Sequence, residues 1–216
     1  MNVTPAPRTP CIYVLAGPNG GGKSSIMGAM MLQSGADYFN PDLEANRLQK
    51  QHPHLSRQEA NSIAWNMGRD LLERVIQERK TFAFETTLGG STIASLLARA
   101  LEQGLEVRMW FVCLATPELH IERVRARVVR GGHDIPEQKI RERYRRSREN
   151  LLRLLPKLTE LRLYDNSFEA DFAKQIAPQP RAVLHFRAGK IVSSCAPDTP
   201  DWAKPIVEVA IRLNQQ

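Results

Sequence analysis

The residues best suited to chemistry lie near the start of the chain, in the run Gly17-Pro18-Asn19-Gly20-Gly21-Gly22-Lys23-Ser24. This run fits G-x-x-x-x-G-K-[ST], the pattern of a phosphate-binding loop or P-loop. An apolar, partly β-branched run at 11–16 precedes the P-loop and predicts a buried strand. The run 24–33, which begins at the last residue of the P-loop, contains no proline and predicts a helix. Strand, glycine loop and helix in this order aim backbone N–H groups at bound phosphate. The sequence therefore predicts nucleotide binding.

The P-loop pattern assigns a role to each of its polar residues. Lys23 is expected to reach the β- and γ-phosphates of ATP, and the Ser24 hydroxyl is expected to hold Mg²⁺. Residues 17–24, together with Ser25, form the predicted ATP-binding set. A chance match in a turn is the alternative, but three consecutive glycines between a strand and a helix make that alternative weak.

The elements that would position these residues alternate along the chain. The patterns predict strands at 81–85, 107–114 and 161–164, a hairpin formed by 182–186 and 190–194, and helices at 56–75, 91–103, 116–130, 136–155 and 202–213. Alternating strands and helices are typical of a mostly parallel sheet flanked by helices. We therefore expect an α/β fold of the P-loop kinase type with a C-terminal β-hairpin and helix.

Length and composition favour one domain. The 216 residues predict a flexible tail at 1–10 and a single kinase domain at 11–216, with a lid at 123–148 and a closing segment at 161–216. No apolar run reaches the roughly 20 residues of a membrane span, and no signal peptide is recognisable. Three cysteines without a C-x-x-C pair favour a reduced, cytoplasmic protein.

The net charge of +7 is local rather than general. Residues 123–148 carry ten basic and three acidic side chains, and the rest of the chain is balanced. A nucleic-acid partner is one explanation, but single-strand binders stack bases on interleaved aromatic residues, and this segment holds only Tyr144. Arginines in a P-loop protein are better explained as contacts to polyphosphate.

Two further polar clusters lie at the ends of strands: Asn40-Pro41-Asp42 follows a second short strand predicted to end at Tyr38-Phe39, and Glu85-Thr86-Thr87 begins at the last residue of the strand 81–85. Ligands in open α/β sheets bind beyond the carboxyl ends of the strands, so both clusters are expected near the P-loop. Phosphoryl transfer requires positioning, charge neutralisation and a group that takes the acceptor's proton. We assign that last role to Asp42; the alternative is that Asp42 merely caps a short helix at 43–48.

Two functions are plausible for Glu85, the acid at the end of the predicted strand 81–85. Glu85 would contact Mg²⁺ through water, as a Walker B acid does, or would bind a hydroxyl of the acceptor. The structural alternative is a carboxylate that accepts backbone N–H bonds in the following loop. We expect Glu85 and Thr87 to bind substrate, with Asn40 and Thr86 as further candidates.

The run Gly131-Gly132-His133 lies between two arginine-rich predicted helices, as a hinged lid would require. Most of the ten basic side chains must be solvated surface. For catalysis we select Arg127, Arg143 and Arg146, and we expect His133 to contact substrate.

The combination of motifs resembles the zeta toxin family, and within it the short branch that consists of the toxin domain alone. The resemblance covers residues 11 to about 170. It rests on the P-loop of residues 16–24 and on the runs Phe39-Asn40-Pro41-Asp42, Phe84-Glu85-Thr86-Thr87, Gly131-Gly132-His133-Asp134-Ile135-Pro136 and Arg143-Tyr144-Arg145-Arg146-Ser147.

The resemblance implies an ATP- and Mg²⁺-dependent kinase that phosphorylates a UDP-activated amino sugar, UDP-N-acetylglucosamine being the family's type substrate. It also implies that an antitoxin protein is a possible partner. By motif, Asp42 corresponds to the general base, Lys23 to the P-loop lysine, and Glu85 and Thr87 to sugar-nucleotide contacts. Asp70 corresponds more weakly to a further acceptor contact.

Two other functions remain open from the sequence. One is a P-loop kinase for a different small hydroxyl compound, such as an antibiotic or a nucleoside. The other is a nucleotide-gated RNA-binding protein with little turnover, which would use the 123–148 segment.

Overall fold

The computed structural model describes residues 9–24, 26, 28, 35–168 and 180–216. Residues 24, 26 and 28 are helical, as the helix predicted at 24–33 requires. The rest of that helix, Ser25 and residues 1–8 of the predicted tail lie outside the described residues.

A seven-stranded sheet forms the centre of the described structure, in the order β2-β3-β1-β4-β5-β6-β7. Its first five strands are parallel and its last two are antiparallel. The strands are β1 (Cys11–Ala16), β2 (Tyr38–Phe39), β3 (Phe82–Thr86), β4 (Glu106–Cys113), β5 (Glu160–Asp165), β6 (Arg181–Arg187) and β7 (Lys190–Ser194).

Beyond the P-loop helix, the helices of the described residues are α1 (Pro41–Gln51), α2 (Arg57–Glu78), α3 (Ser91–Glu102), α4 (Pro117–Val129), α5 (Glu137–Leu154) and α6 (Lys204–Asn214). Short 3₁₀ turns follow α5 at Leu155–Lys157 and precede α6 at Ala196–Asp198 and Asp201–Ala203. This arrangement confirms the predicted α/β fold with its C-terminal hairpin and helix. None of the helices in the described ranges is long and apolar enough to cross a bilayer.

Local sequence signals explain where several elements begin and turn. The capping box of Ser56 and Glu59 opens α2, and Thr116 caps α4 ahead of a proline at the first helical position. The hairpin between β6 and β7 turns on Ala188 and Gly189, both at positive φ (48° and 78°), as a two-residue type I′ turn requires.

Both faces of the parallel part of the sheet are covered, which explains its continuous apolar strands. All six residues of β1 are buried. Alternate side chains of that strand enter two cores: Ile12 and Val14 join the larger one with α3, α5 and α6, and Tyr13 and Leu15 join a smaller one with Trp110.

The topology brings the candidate residues to one edge. The strand β1 lies between β3 and β4, with Ala16 paired to Thr86 and to Phe111. The short strand β2 pairs with β3 through Phe39 and Phe84. The P-loop after β1, the segment 40–42 after β2 and the loop after β3 therefore meet at the carboxyl ends of three neighbouring strands.

Candidate active site

The P-loop requires its glycines for steric reasons. Gly17, Gly20 and Gly22 have φ values of 137°, 76° and 82°, a region that other residues rarely adopt. A Cβ atom on Gly17 would lie 2.0 Å from the carbonyl oxygen of Val112, and one on Gly22 would lie 2.1 Å from Nδ2 of Asn166. The loop thus packs its backbone against β4 and against Asn166, the residue after β5, with no space for larger side chains at Gly17 and Gly22.

Lys23 is buried against this loop. Its Nζ donates to the carbonyl oxygens of Gly17 (2.9 Å) and Pro18 (3.3 Å). The same ammonium lies 3.5 Å from Oε1 of Glu85. The lysine therefore links the P-loop to the end of β3.

Glu85 is the centre of a small polar network. Its Oε2 accepts hydrogen bonds from the Tyr38 hydroxyl (2.9 Å) and from Nδ2 of Asn40 (3.0 Å). Burial, together with the charge of Glu85, raises the pKa of Tyr38 far above its usual value, so that hydroxyl stays a donor. With Lys23 on its other oxygen, Glu85 is engaged on both sides.

Asn40 has a second role at the start of α1. Its Oδ1 accepts from the backbone N–H groups of Asp42 (2.8 Å) and Leu43 (3.2 Å), so Asn40 is the N-cap and Pro41 the first helical residue. The alternative in which Asp42 caps this helix is therefore wrong. Asp42 lies half-buried in the first turn, next to the Glu85 network.

His133 lies among charged groups from four helices. Burial lowers the pKa of His133, the charge of Asp42 raises it, and the charges of Arg127, Arg57 and Arg143 lower it further. The net direction is downward, which favours a neutral imidazole. These charge effects place Asp42 and the three arginines around one imidazole.

Contacts in the lid segment hold His133 in place. Its Nδ1 lies 3.2 Å from a terminal nitrogen of Arg57, and its carbonyl oxygen accepts from Arg127 at 3.3 Å. The other terminal nitrogen of Arg57 donates to Oδ1 of Asn46 (2.5 Å) and Oε1 of Gln49 (2.8 Å) at the end of α1. The Nε atoms of Arg57 and Arg127 are buried without a hydrogen-bond partner among the described residues.

The structure separates the selected arginines. Arg143 points inward and donates to Oδ1 of Asn19 in the P-loop at 2.7 Å, and burial lowers its pKa. Arg146, three residues later, has a side chain 51% exposed and pairs with Glu142 at 2.8 Å. Arg127 and Arg143 are thus brought to the site with His133, whereas Arg146 is not.

The loop after β3 is closed by its own threonines. The Thr86 hydroxyl accepts from the backbone N–H of Leu88 (3.0 Å), and the Thr87 hydroxyl accepts from that of Gly89 (3.4 Å). Each hydroxyl retains its own proton to donate. Asp70, the weaker candidate, lies exposed and pairs with Arg69 (2.7 Å).

His120 fixes the P-loop from beneath. It is fully buried, and burial lowers its pKa to about 4, so it is neutral at pH 7. The N–H of Leu114 donates to its Nε2 (3.1 Å), which leaves the proton on Nδ1 to donate to the carbonyl oxygen of Asn19 (2.7 Å). Asn19 therefore anchors the P-loop to two helices. Its backbone carbonyl binds His120 on α4, and its side chain binds Arg143 on α5.

The residues also fit a magnesium ion carried by a nucleotide. No group of three or more His, Cys, Asp or Glu side chains able to hold a metal occurs among the described residues. Mg²⁺ in phosphate sites needs few protein ligands, because phosphates and water supply the others. Ser24 is exposed at the end of the P-loop, where its hydroxyl is available.

Sequence reasoning missed several residues that shape this site: Tyr38, Arg57, His120, Ser147, Asn150 and Asn166. The side-chain Nδ2 of Asn166 donates to the carbonyl oxygen of Gly21 (3.0 Å), and the backbone carbonyl oxygen of Asn166 accepts from Arg123 (2.7 Å). Ser147 ends the run Arg143-Tyr144-Arg145-Arg146-Ser147 but was given no role there, and the other five stand in no recognisable motif. The N-cap role of Asn40, in contrast, was readable from the proline that follows it.

Comparison with known proteins assigns the family. The zeta toxin family model matches residues 1–185. An uncharacterized protein of Haemophilus influenzae is 30% identical over 132 residues, which are 59% of this chain and 88% of the relative.

Solved structures show the same fold at low identity. The AvrRxo1-ORF1:-ORF2 complex has a TM-score of 0.62 and 15% identity over 95% of this chain and 64% of that chain. A structure of the same pair with ATP has a TM-score of 0.59 and 16% identity over 94% of this chain and 64% of that chain. The PezAT chromosomal toxin–antitoxin system of Streptococcus pneumoniae has a TM-score of 0.59 and 16% identity over 96% of this chain and 87% of that chain.

The match covers less than two thirds of the length of the AvrRxo1 chains, at 64%. Its similarity to all three structures establishes the fold. Because the family model covers most of the chain, the protein belongs to the zeta toxin family and has the fold of a P-loop kinase.

Proposed function

We propose that this protein is an ATP- and Mg²⁺-dependent kinase that phosphorylates a hydroxyl of a UDP-activated amino sugar, with UDP-N-acetylglucosamine as the first candidate. The position of Glu85 carries the proposal. Its carboxylate lies 3.5 Å from the Lys23 ammonium and accepts from Asn40 at 3.0 Å. It joins the loop that would hold ATP to the segment that presents Asp42.

In the proposed reaction the acceptor hydroxyl oxygen attacks the γ-phosphorus of ATP. The bond from that phosphorus to the β–γ bridging oxygen breaks, ADP leaves, and the hydroxyl proton passes to the carboxylate of Asp42. Lys23 binds the phosphates, and Arg127 and Arg143 offset the charge on the transferred group. Mg²⁺, when bound with the nucleotide at Ser24, supplies further neutralisation of the phosphate charge.

The charges around Asp42 favour an anionic acceptor. The charges of Arg57, Arg127 and Arg143 all act on His133, and none of the three arginines forms an ion pair in the described part of the chain. Asp42 and Glu142 act on Arg143 only at longer range. Half-buried guanidinium groups without an ion pair favour the binding of an anion beside them. ATP supplies that anion to Arg127 and Arg143, and the diphosphate of a UDP-sugar would supply it to Arg57, whereas an uncharged nucleoside would not.

The decisive experiment measures ATP consumption with and without UDP-N-acetylglucosamine, followed by mass spectrometry of the sugar nucleotide. We expect one added phosphate, on a sugar hydroxyl. A panel of other UDP-sugars, nucleosides and hydroxylated antibiotics tests the acceptor class. Phosphorylation of a member outside the UDP-sugars, with none inside, replaces the proposed acceptor and keeps the kinase.

Two variants test the assigned roles. Lys23→Ala is expected to abolish turnover, and Asp42→Asn to lower it by a factor on the order of 10² or more while ATP affinity stays near wild type. Asp201→Asn is the matched control, because Asp201 is an exposed acid paired with Lys204 at 2.6 Å and lies outside the candidate site. Asp42→Asn with normal turnover would remove Asp42 from the mechanism.

The family also suggests the setting of this activity. An antitoxin protein is the candidate partner, and the PezAT structure is that of a chromosomal toxin–antitoxin system. A reducing, cytoplasmic location agrees with three cysteines that form no disulfide. Co-expression with the product of a small neighbouring gene, followed by co-purification, tests the partner.

A further inference from the structure

One face of α5 touches both loops of the site. Arg143, Ser147 and Asn150 follow at spacings of four and three, so they share a helix face. Arg143 reaches the P-loop at Asn19 (2.7 Å), whereas Ser147 and Asn150 reach the loop after β3.

The contacts of the latter two residues are to backbone. The Ser147 hydroxyl lies 2.5 Å from the carbonyl oxygen of Thr87 and 2.5 Å from that of Arg143 one turn earlier. Nδ2 of Asn150 donates to the carbonyl oxygens of Leu88 (2.8 Å) and Gly90 (3.1 Å). Both side chains are buried, at 0% and 7% exposure, so these bonds are shielded from water.

The loop needs external support because its backbone is strained. Leu88 has φ of 53°, in the left-handed region that a non-glycine residue rarely enters. Its side chain is fully buried in the main core. Burial of Leu88 on one side and the bonds from α5 on the other hold a turn that the local sequence disfavours.

We propose that Ser147 and Asn150 are positioning residues for the acceptor: they fix the turn 87–90 and thereby the place of Glu85, Thr86 and Thr87 relative to the P-loop. This inference rests on the proposed function, since it takes that turn to receive the acceptor. The second half of α5 is then a fixed brace between the two loops. A movable lid is confined to the residues before it.

The test compares Asn150→Asp and Ser147→Ala with Glu149→Gln. A carboxylate at 150 keeps the shape of the amide but offers no donor to the two carbonyls. Glu149 is the matched control because it lies on the outer face of the same helix, paired with Arg145 at 2.8 Å. The KM for UDP-N-acetylglucosamine should rise roughly tenfold or more in Asn150→Asp, and less in Ser147→Ala, since small misplacements at a reacting centre are costly. The KM for ATP should change by less than about twofold, and Glu149→Gln should match wild type.

Amide hydrogen exchange supplies a readout that needs no acceptor. Exchange at 86–90 should rise in Asn150→Asp and Ser147→Ala, while exchange at 17–24 stays as in wild type. The proposed bracing role of α5 is overturned if exchange rises equally at 86–90 and at 17–24, or if it rises at neither segment. Unchanged acceptor KM in both variants also overturns it. If wild type leaves UDP-N-acetylglucosamine unmodified, the proposed function fails, but exchange confined to 86–90 still supports the brace.

Discussion

The arginine-rich segment presents two different surfaces. On its outer face, Arg125, Arg141, Arg145 and Arg146 each pair with a glutamate, and these arginines are 49–66% exposed. On its inner face, Arg127 and Arg143 bind a carbonyl and an amide oxygen instead.

The difference shows where the charge is available. Exposed ion pairs contribute little to stability and are screened by salt. The inner guanidinium groups form no ion pair among the described residues and lie in half-buried surroundings, where a charge acts more strongly on a bound anion. Arg57 belongs to the inner group although it lies on α2, far from the segment in sequence. The candidate phosphate-binding surface that we propose therefore has arginines from three helices, and the basic run in the sequence supplies only part of it.

The largest effect is expected for Arg143. Arg143→Ala should lower turnover by a factor on the order of 10² or more and weaken ATP binding less, because an inner arginine acts on charge that develops during transfer. Single-turnover kinetics with ATP in excess checks this. Arg145→Ala, two residues away and ion-paired outside, is the control; equal losses in the two variants would erase the distinction between faces.

The second largest loss of turnover is expected for Arg127→Ala. Because its guanidinium contacts the His133 carbonyl at 3.3 Å, Arg127→Ala removes both a charge and a support of the lid. We expect turnover to fall roughly tenfold or more. Arg125→Ala on the outer face of the same helix provides the comparison, and normal turnover in Arg127→Ala would assign Arg127 to structure alone.

Arg57 tests whether the inner surface extends to the acceptor. Arg57→Ala should raise the acceptor KM roughly tenfold, the loss of one charge-assisted contact, with little change in kcat. Arg47→Ala is matched to it, since Arg47 is an exposed arginine of the neighbouring helix paired with Glu44 at 2.6 Å. A raised KM for ATP with an unchanged acceptor KM would place Arg57 on the donor side.

The smallest effects belong to the outer face. Arg146→Ala and Arg125→Ala should leave turnover within about twofold of wild type and change the free energy of unfolding by about 0.5 kcal/mol or less. Chemical denaturation and steady-state assays measure both. A strong loss of turnover in Arg146→Ala would instead restore the catalytic role that sequence spacing suggested for it.

Local signals in the sequence determined much of this protein. The P-loop, the capping box of α2, the proline at the start of α4 and the hairpin turn are each set by a few adjacent residues. Backbone preferences and short-range hydrogen bonds decide such features, so they are readable without the fold. The alternation of strands and helices then predicted the sheet and the edge at which Asn40, Asp42 and Glu85 meet.

Tertiary structure alone decided which way the side chains of α5 point. Helical spacing places Arg143 and Arg146 near each other, but packing against the core turns the first toward Asn19 and leaves the second in solvent. The same packing brings Ser147 and Asn150 to a turn about 60 residues earlier in the chain and Arg57 to His133, 76 residues later. Such contacts depend on burial of distant apolar surface, which no local pattern records, so the arrangement of the charges emerges only when the whole sheet and its helices are assembled.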